Sequence, residues 1–264
     1  MNDPQQFSDP QREMIATIVR VLRPCKSILF VTGAGLSADS GLPTYRGIGG
    51  MYEVEDTEDG YAIEEVLSGE MLRRNPELTW KYLAQIADAA RGATYNRGHK
   101  VIAEMEQALP RVWTLTQNVD GFHRMAGSKN VIEIHGNMRS LTCMECGKTR
   151  QVTDGEELEI PPRCARDKCA GIMRPDVVLF SENLPVSALT TLQQEAERGF
   201  GAVVNVGTSG LFPYIQEPTI LAKRFGIPTV EINPGETVLS SHVDYRLPLG
   251  AAAALHAIWD ELVE

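Results

Sequence analysis

Residues Ile28 to Val31 read Ile-Leu-Phe-Val, and after Thr32 the chain breaks into Gly33-Ala34-Gly35. A short continuous apolar run of this kind fits a strand buried on both faces. The glycine pair ends it, and Leu36-Ser37-Ala38 can start a helix. This order places a tight turn at the carboxyl end of a buried strand, with backbone N–H groups facing an anion and a helix N-terminus behind them. The pattern reads G-x-G-x-x-A, with Ala38 in the third small position. Turns of this spelling cradle phosphates. A plain strand-to-turn junction, with glycines chosen only for positive φ, is spelled the same way. The rest of the chain has to separate the two.

Length and composition narrow the field. A chain of 264 residues suits one large domain, or one domain with a small insert. Hydrophobic residues make up 43%, enough for a packed core. The net charge of −10 argues against a nucleic-acid partner and favours basic protein segments. No stretch approaches the ~20 apolar residues of a membrane span. The polar start from Met1 to Pro10 lacks the cationic region of a signal peptide. The expected setting is the cytoplasm, where thiols stay reduced and cysteines serve as ligands or core residues.

The chain alternates helical and strand-like segments. Asp9-Pro10 reads as an N-cap followed by proline at N1, ahead of Met14, Ile15, Ile18, Val21 and Leu22 at helical spacing. Residues 41–65 are irregular and acidic, as in a loop over a site. Asn75-Pro76 opens a second helix carrying Leu78, Tyr82, Leu83 and Ile86, and His99 to Leu109 reads as a third. Arg111–Leu115, Val131–His135, Asp176–Phe180, Ala202–Val206 and Thr229–Ile232 read as strands, each ending in a polar or glycine-rich loop. A last amphipathic helix covers Ala252–Leu262. Alternation of this kind implies a mainly parallel sheet, with ligands at the carboxyl ends of its strands.

Four of the five cysteines fall in one charged, proline-containing insert, as Cys143-x2-Cys146 and Cys164-x4-Cys169 with seventeen residues between the pairs. Two knuckles of this spacing can present four thiolates tetrahedrally, the closed geometry of structural zinc. Gly147 and Gly171 suit the turns the knuckles need. An iron–sulfur centre or unliganded thiols use the same residues. A closed four-cysteine site leaves no position for substrate, so its role is stability. Cys25 reads as an ordinary core or surface residue.

Six motifs now stand in a fixed order: GAGLSADSGLPTYRG at 33–47, TQNVDGFH at 116–123, IEIHGN at 132–137, RPDVVLFSENLP at 174–185, GTS at 207–209 and EINP at 231–234. With the cysteine insert between the third and fourth, the set resembles the sirtuins, the NAD-dependent protein-lysine deacylases. The resemblance covers nearly the whole chain from Ser27. It implies an α/β fold: a Rossmann-like parallel sheet (about 9–45, 111–135 and 175–264) with an inserted small lobe, part helix and loop (about 46–110) and part zinc ribbon (about 140–172). It implies NAD as co-substrate, one structural zinc ion on Cys143, Cys146, Cys164 and Cys169, and an acyl-lysine protein as partner; nothing in the sequence demands more than a monomer.

The same resemblance assigns roles. Gly33, Ala34, Gly35 and Ser37 would line the phosphates and nearby ribose. Tyr45 would lie beside the nicotinamide, and Arg46 would hold the pyrophosphate. Gln117, Asn118 and Asp120 would surround the nicotinamide ribose, Asn118 and Asp120 also serving the chemistry. His135 would be the general base. Gly207, Thr208, Ser209 and Asn233 would bind the adenosine half, with Ala251 near adenine. Val178 and Phe180 would lie along the acyl-lysine. Histidine suits the base, since an unperturbed pKa of about 6.5 leaves it largely neutral in the cytoplasm. His123 reads as structural.

Tyr45, Ser181 and Gly210 depart from the family pattern, where phenylalanine, glycine and a larger apolar residue are usual. Sirtuins that prefer succinyl- or malonyl-lysine carry a Tyr-x-x-Arg pair on a small-lobe helix. Here Leu83 and Ile86 take those places, and no Tyr-x-x-Arg occurs in the chain. The expected acyl groups are therefore acetyl and short aliphatic chains. The alternatives are NAD-dependent ADP-ribosyl transfer or NAD hydrolysis on the same site, a zinc-lobed dehydrogenase, and a non-catalytic NAD-binding module. The dehydrogenase lacks an acidic residue ending a second strand, since Glu53 sits in an irregular stretch.

Overall fold

The computed structural model describes residues 7–43, 57–153 and 156–264. In chain order the elements are α1 (Asp9–Leu22), β1 (Ser27–Thr32), α2 (Ala34–Ala38), α3 (Ile63–Val66), α4 (Gly69–Arg74), α5 (Pro76–Ala89), α6 (Arg97–Ala108), β2 (Arg111–Thr116), α7 (Phe122–Ala126), β3 (Val131–Glu133), β4 (Gly136–Cys143), β5 (Thr149–Gln151), β6 (Met173–Val177), α8 (Val186–Glu197), β7 (Ala202–Val206), α9 (Pro213–Arg224), β8 (Thr229–Ile232), β9 (Tyr245–Leu247) and α10 (Ala251–Val263).

Six strands form one sheet in the order β3-β2-β1-β7-β8-β9, every pairing parallel. Strand β1 explains why its run is apolar throughout. Ile28 and Phe30 point into one core cluster, shared with Ile15, Ile18, Val101 and Leu255 from α1, α6 and α10. Leu29 and Val31 point into the opposite cluster, against which the α8 residues Ala188 and Leu192 and the α9 residue Ile215 pack. Both faces are covered, as the two-fold alternation of strand side chains requires.

A second sheet, β5-β4-β6, is three-stranded and antiparallel. Its Leu141, Cys143 and Met173 share an apolar cluster with Ile63, Leu72, Trp80 and Leu83 from α3, α4 and α5. The small lobe is thus built from two separate excursions of the chain, one before β2 and one after β3. The Trp80 indole N–H donates to the Met173 carbonyl at 3.0 Å and ties them together.

Four expectations change. The helix expected from Asp9 is capped one residue earlier: the Ser8 N–H donates to Gln11 Oε1, so Asp9 and Pro10 are its first two residues. Helix α6 does not join the small lobe, although it falls within the expected segment 46–110. Its Val101, Ile102 and Met105 complete the core of the large sheet, because the apolar face of the helix matches α10 beside it. The strand expected at Asp176–Phe180 starts earlier, at Met173, and pairs with β4. It therefore belongs to the small sheet and not to the large one, where 175–264 had placed it. The irregular acidic stretch is described only from residue 57, and α3 begins within it at Ile63.

Candidate active site and cysteine cluster

Strand β1 has β2 on one side and β7 on the other. The connections leave in opposite directions, so a crevice opens beyond the carboxyl ends of β1 and β7, where ligands bind in such sheets. The glycine turn sits there, but it does more than free its amides. The Gly33 N–H donates to Val206 O at 3.1 Å and the Gly35 N–H to Gly207 O at 2.8 Å. Both amides are therefore committed to the neighbouring strand end, contrary to the expectation that they face an anion. A Cβ on Gly33 would stand 2.9 Å from Gly207 O, and one on Gly35 would stand 2.7 Å from Gly207 Cα. Gly207 itself has φ +59°, and a Cβ there would meet Leu36 N at 2.4 Å. The glycines let two backbones interlock, a use of the residue distinct from turn flexibility.

Polar side chains from the adjoining loops converge on this crevice. After β2, the Asn118 amide donates to Gly33 O at 3.0 Å and to Ser37 Oγ at 3.1 Å. The Ser37 hydroxyl donates to Asp120 Oδ2 at 2.7 Å, and the Phe122 N–H donates to Asp120 Oδ1 at 2.9 Å. Burial raises the Asp120 carboxyl above its usual range, and these two donors work against the rise. Gln117 Nε2 reaches Thr208 Oγ1 at 2.7 Å, and Asn233 Nδ2 reaches the Thr208 carbonyl at 3.2 Å. The ends of β2, β7 and β8 are joined through one buried threonine.

His135 follows β3. Its Nδ1 lies 3.1 Å from Gln117 O, which can only accept, so the proton sits on Nδ1. Nε2 then holds the ring's free lone pair. Burial pushes the imidazole pKa below its usual value, and the Gln117 carbonyl opposes the shift. The His135 backbone carbonyl accepts from the Val178 N–H at 2.8 Å, which joins the histidine to the strand-like segment after β6. Phe180 pairs in turn with the loop before α4: its N–H donates to Leu67 O, and its carbonyl accepts from Gly69. A groove of about 730 Å³ lies along this segment, lined by Gly69, Arg73, Val178 and Ser181 among others.

Ala34 opens α2 beside the turn, and Ser209 is exposed just past Thr208. Ala251 is 2% exposed and packs in the main core, so only its backbone can face a ligand. Tyr45 and Arg46 lie outside the described residues. His123 is fully enclosed, its Nε2 2.9 Å from Thr32 Oγ1 and its ring 5.0 Å from that of His99. One departure carries a physical cost and another has a physical reason. Ser181 holds φ +63°, the left-handed region that usually calls for glycine. Gly210 has φ +65°, and a Cβ there would stand 2.7 Å from Leu239 Cγ, so a larger residue is shut out.

The sequence motifs leave out one neighbour of the site. Tyr214, in the first turn of α9, places its hydroxyl 2.7 Å from His135 Nε2. Nothing in the spacing of residues 207–214 announces it.

The four expected cysteines meet. Their sulfurs all lie within 4.8 Å of one another, with Cys143–Cys169 and Cys146–Cys164 at 3.7 Å. All four are free thiols. Tetrahedral coordination at ~2.3 Å per Zn–S bond separates sulfurs by roughly 3.8 Å. The donor set and spacing fit zinc.

An α/β sheet with a polar crevice at its switch point, joined to a four-cysteine lobe, defines a nucleotide-binding α/β class carrying a small inserted lobe. The chain matches the Sir2 family over residues 33–212, and it belongs to that family. It is 50% identical over 236 residues to the NAD-dependent protein deacylase 2 of Pseudomonas aeruginosa, covering 88% of this chain and 91% of that one. It is 39% identical to the NAD-dependent protein deacylase of Aquifex aeolicus, covering 90% and 96%. A Sir2 homologue solved in complex with NAD superposes with a TM-score of 0.82 at 32% identity, covering 94% and 93%. A Sir2–p53 peptide–NAD+ structure superposes at 0.79 with 27% identity, covering 94% and 98%.

Proposed function

We propose that this protein is an NAD-dependent protein-lysine deacylase that removes acetyl and other short aliphatic acyl groups. The observation that carries the reading is His135. It is held as a neutral base, with its Nδ1 proton on Gln117 O and its backbone bonded to Val178. It thus stands between the nucleotide crevice and the groove beside Val178.

Bound NAD would supply an electrophilic ribose carbon, to which the acyl oxygen bonds as the bond to nicotinamide breaks and nicotinamide leaves. The residues of this chain do the rest. Ser37, Asn118 and Asp120 form one hydrogen-bonded unit, fixed before any ligand arrives, and orient the nicotinamide ribose. Gln117, Thr208 and Asn233 hold the adenosine side in register with it. His135 takes the proton of a ribose hydroxyl at Nε2, a role its lowered pKa suits at neutral pH. Val178 and Phe180 seat the acyl-lysine against the small lobe. Leu83 and Ile86 share the apolar cluster in which Phe180 packs, an environment that leaves a succinyl carboxylate unpaired. The sulfurs of Cys143, Cys146, Cys164 and Cys169 would hold one zinc ion, which would stabilise the ribbon of the small lobe. We assign the enzyme to the cytoplasm, as a monomer without a nucleic-acid partner. Among the described residues no helix is long and apolar enough to cross a membrane.

The test is mass spectrometry of an acetyl-lysine peptide incubated with and without NAD. Nicotinamide, deacetylated peptide and an acyl-ADP-ribose should form in equal amounts, only with NAD, and not with His135→Ala. Free ADP-ribose without peptide deacetylation would move the assignment to NAD hydrolysis. Modified protein would move it to ADP-ribosyl transfer. In the same assay acetyl- and butyryl-lysine should outpace succinyl-lysine. The reverse order would bring a groove cation such as Arg73 into play.

A further inference from the structure

The free lone pair of His135 Nε2 is already in use. The Tyr214 hydroxyl lies 2.7 Å from it. Since Nδ1 carries the ring proton, the phenol donates and Nε2 accepts. Burial raises the Tyr214 pKa and keeps that proton in place. Two aromatic rings fix the arrangement. Phe212 and Tyr214 stack at 5.4 Å and 12°, and the imidazole meets both edge-on at 5.8 and 5.9 Å. Phe212 is the N-cap of α9 and Pro213 its first residue, so the start of the helix sets the position of the pair.

A neutral imidazole nitrogen has one in-plane lone pair and serves one donor at a time. A substrate hydroxyl that gives its proton to His135 needs the place that Tyr214 Oη fills. We propose that Tyr214 is a positioning residue that latches His135 in the ligand-free enzyme and must turn away before the base can act. The proposal rests on the reading of His135 as general base. The latch also favours the neutral ring, because a donor on Nε2 bonds the deprotonated form and not the protonated one. Among the described residues, the other groups near the ring do not supply a competing charge. Gln117 offers a carbonyl, Phe212 an apolar ring, and Asp120 is spent on Ser37 and the Phe122 N–H. On its own strand side, Glu133 is bonded by Arg124 and Asn137.

Tyr214→Phe removes the hydroxyl and keeps the stacked ring. In the free protein the His135 Cε1–H signal, assigned by its loss in His135→Ala, should titrate with a pKa raised by roughly half a unit to one unit. The acid limb of kcat/KM reports the free enzyme and should move up by the same amount. The acid limb of kcat reports the bound state, where the latch is already open, and should stay put. At pH 8, above both pKa values, kcat/KM should rise roughly two- to tenfold. An unmoved His135 titration, or a kcat limb that moves with the kcat/KM limb, overturns the latch. The NMR titration asks nothing of NAD chemistry. A shifted pKa in a protein without deacylase activity would uphold the latch and refute the assigned function.

Discussion

The crevice of the large sheet and the small lobe are stabilised in opposite ways. In the crevice, Gly33 and Gly35 interlock with Gly207, and the surrounding core is covered on both faces of six strands. Support is spread over many backbone contacts and a core on both faces. The lobe has a three-stranded sheet and a single apolar cluster, and four sulfurs close it. Its support is concentrated in a few atoms. The comparison teaches that the reaction frame leans on the fit of backbone to backbone at its strand ends, and that closure of the lobe leans on four sulfur atoms.

Metal removal tests this contrast with the largest effect. Structural zinc contributes on the order of 10 kcal/mol to folding such a ribbon. Wild-type protein should carry one zinc per chain by elemental analysis, and Cys143→Ser should lose it. Trp80 reports on the lobe, being 4% exposed there, while Trp113 and Trp259 pack against the two clusters of the large sheet. Trp80 emission should shift to the red while the other two keep their native environment. A metal-free protein with native Trp80 emission would break the comparison.

Gly207→Ala attacks the other half. The added methyl meets backbone atoms at φ +59°, and backbone cannot step aside as a side chain does. Denaturant unfolding should show a loss of about 2–5 kcal/mol, with nucleotide binding lost as well. An alanine variant of wild-type stability would show that the interlock is loose.

Acid sharpens the contrast further, because two enclosed histidines sit under the crevice and none stands among the cysteines. Burial brings the His99 pKa down to about 4, and it lowers that of His123 too. Unfolded, each titrates near 6.5. Below pH 6.5 the unfolded chain binds protons that the native chain refuses, so stability is full above 6.5 and falls towards pH 4. From His99 alone the loss between pH 7.5 and 5 should be about 2 kcal/mol. His99→Gln should flatten the dependence in urea titrations at the two pH values.

The smallest effect is Ser181→Gly, in the segment that joins groove and lobe. Relief of the left-handed φ should raise stability by about 0.5–1 kcal/mol, read as a small rise in Tm. A fall would show that the serine hydroxyl supports the turn.

Motif order made the architecture legible, and local spacing made the cysteine cluster legible. Both are short-range patterns whose chemistry depends on residue type. Helix α6 falls outside the lobe expected for it because Val101, Ile102 and Met105 announce an apolar face without saying which core receives it. Strand β6 joins the small sheet, against expectation, for the same reason, since Met173–Val177 pairs with a strand 30 or more residues earlier. The turn amides were expected free because the spelling G-x-G does not reveal Gly207, whose carbonyl takes one of them. Tyr214 went unseen because its meaning comes wholly from the path of α9.

The parallel pairing of β1 with β7 has a consequence for synthesis. Gly201 bonds to Ser27 across 174 residues, and Gly207 interlocks with Gly33 just beyond. Contacts this distant close late, because the chain between them must give up its freedom before the pairing returns anything. As the protein leaves the ribosome, the glycine turn emerges before β7 and waits for it. No nucleotide crevice exists until the chain has passed residue 207, so a nascent fragment ending before β7 has half of a binding site and nothing to close it.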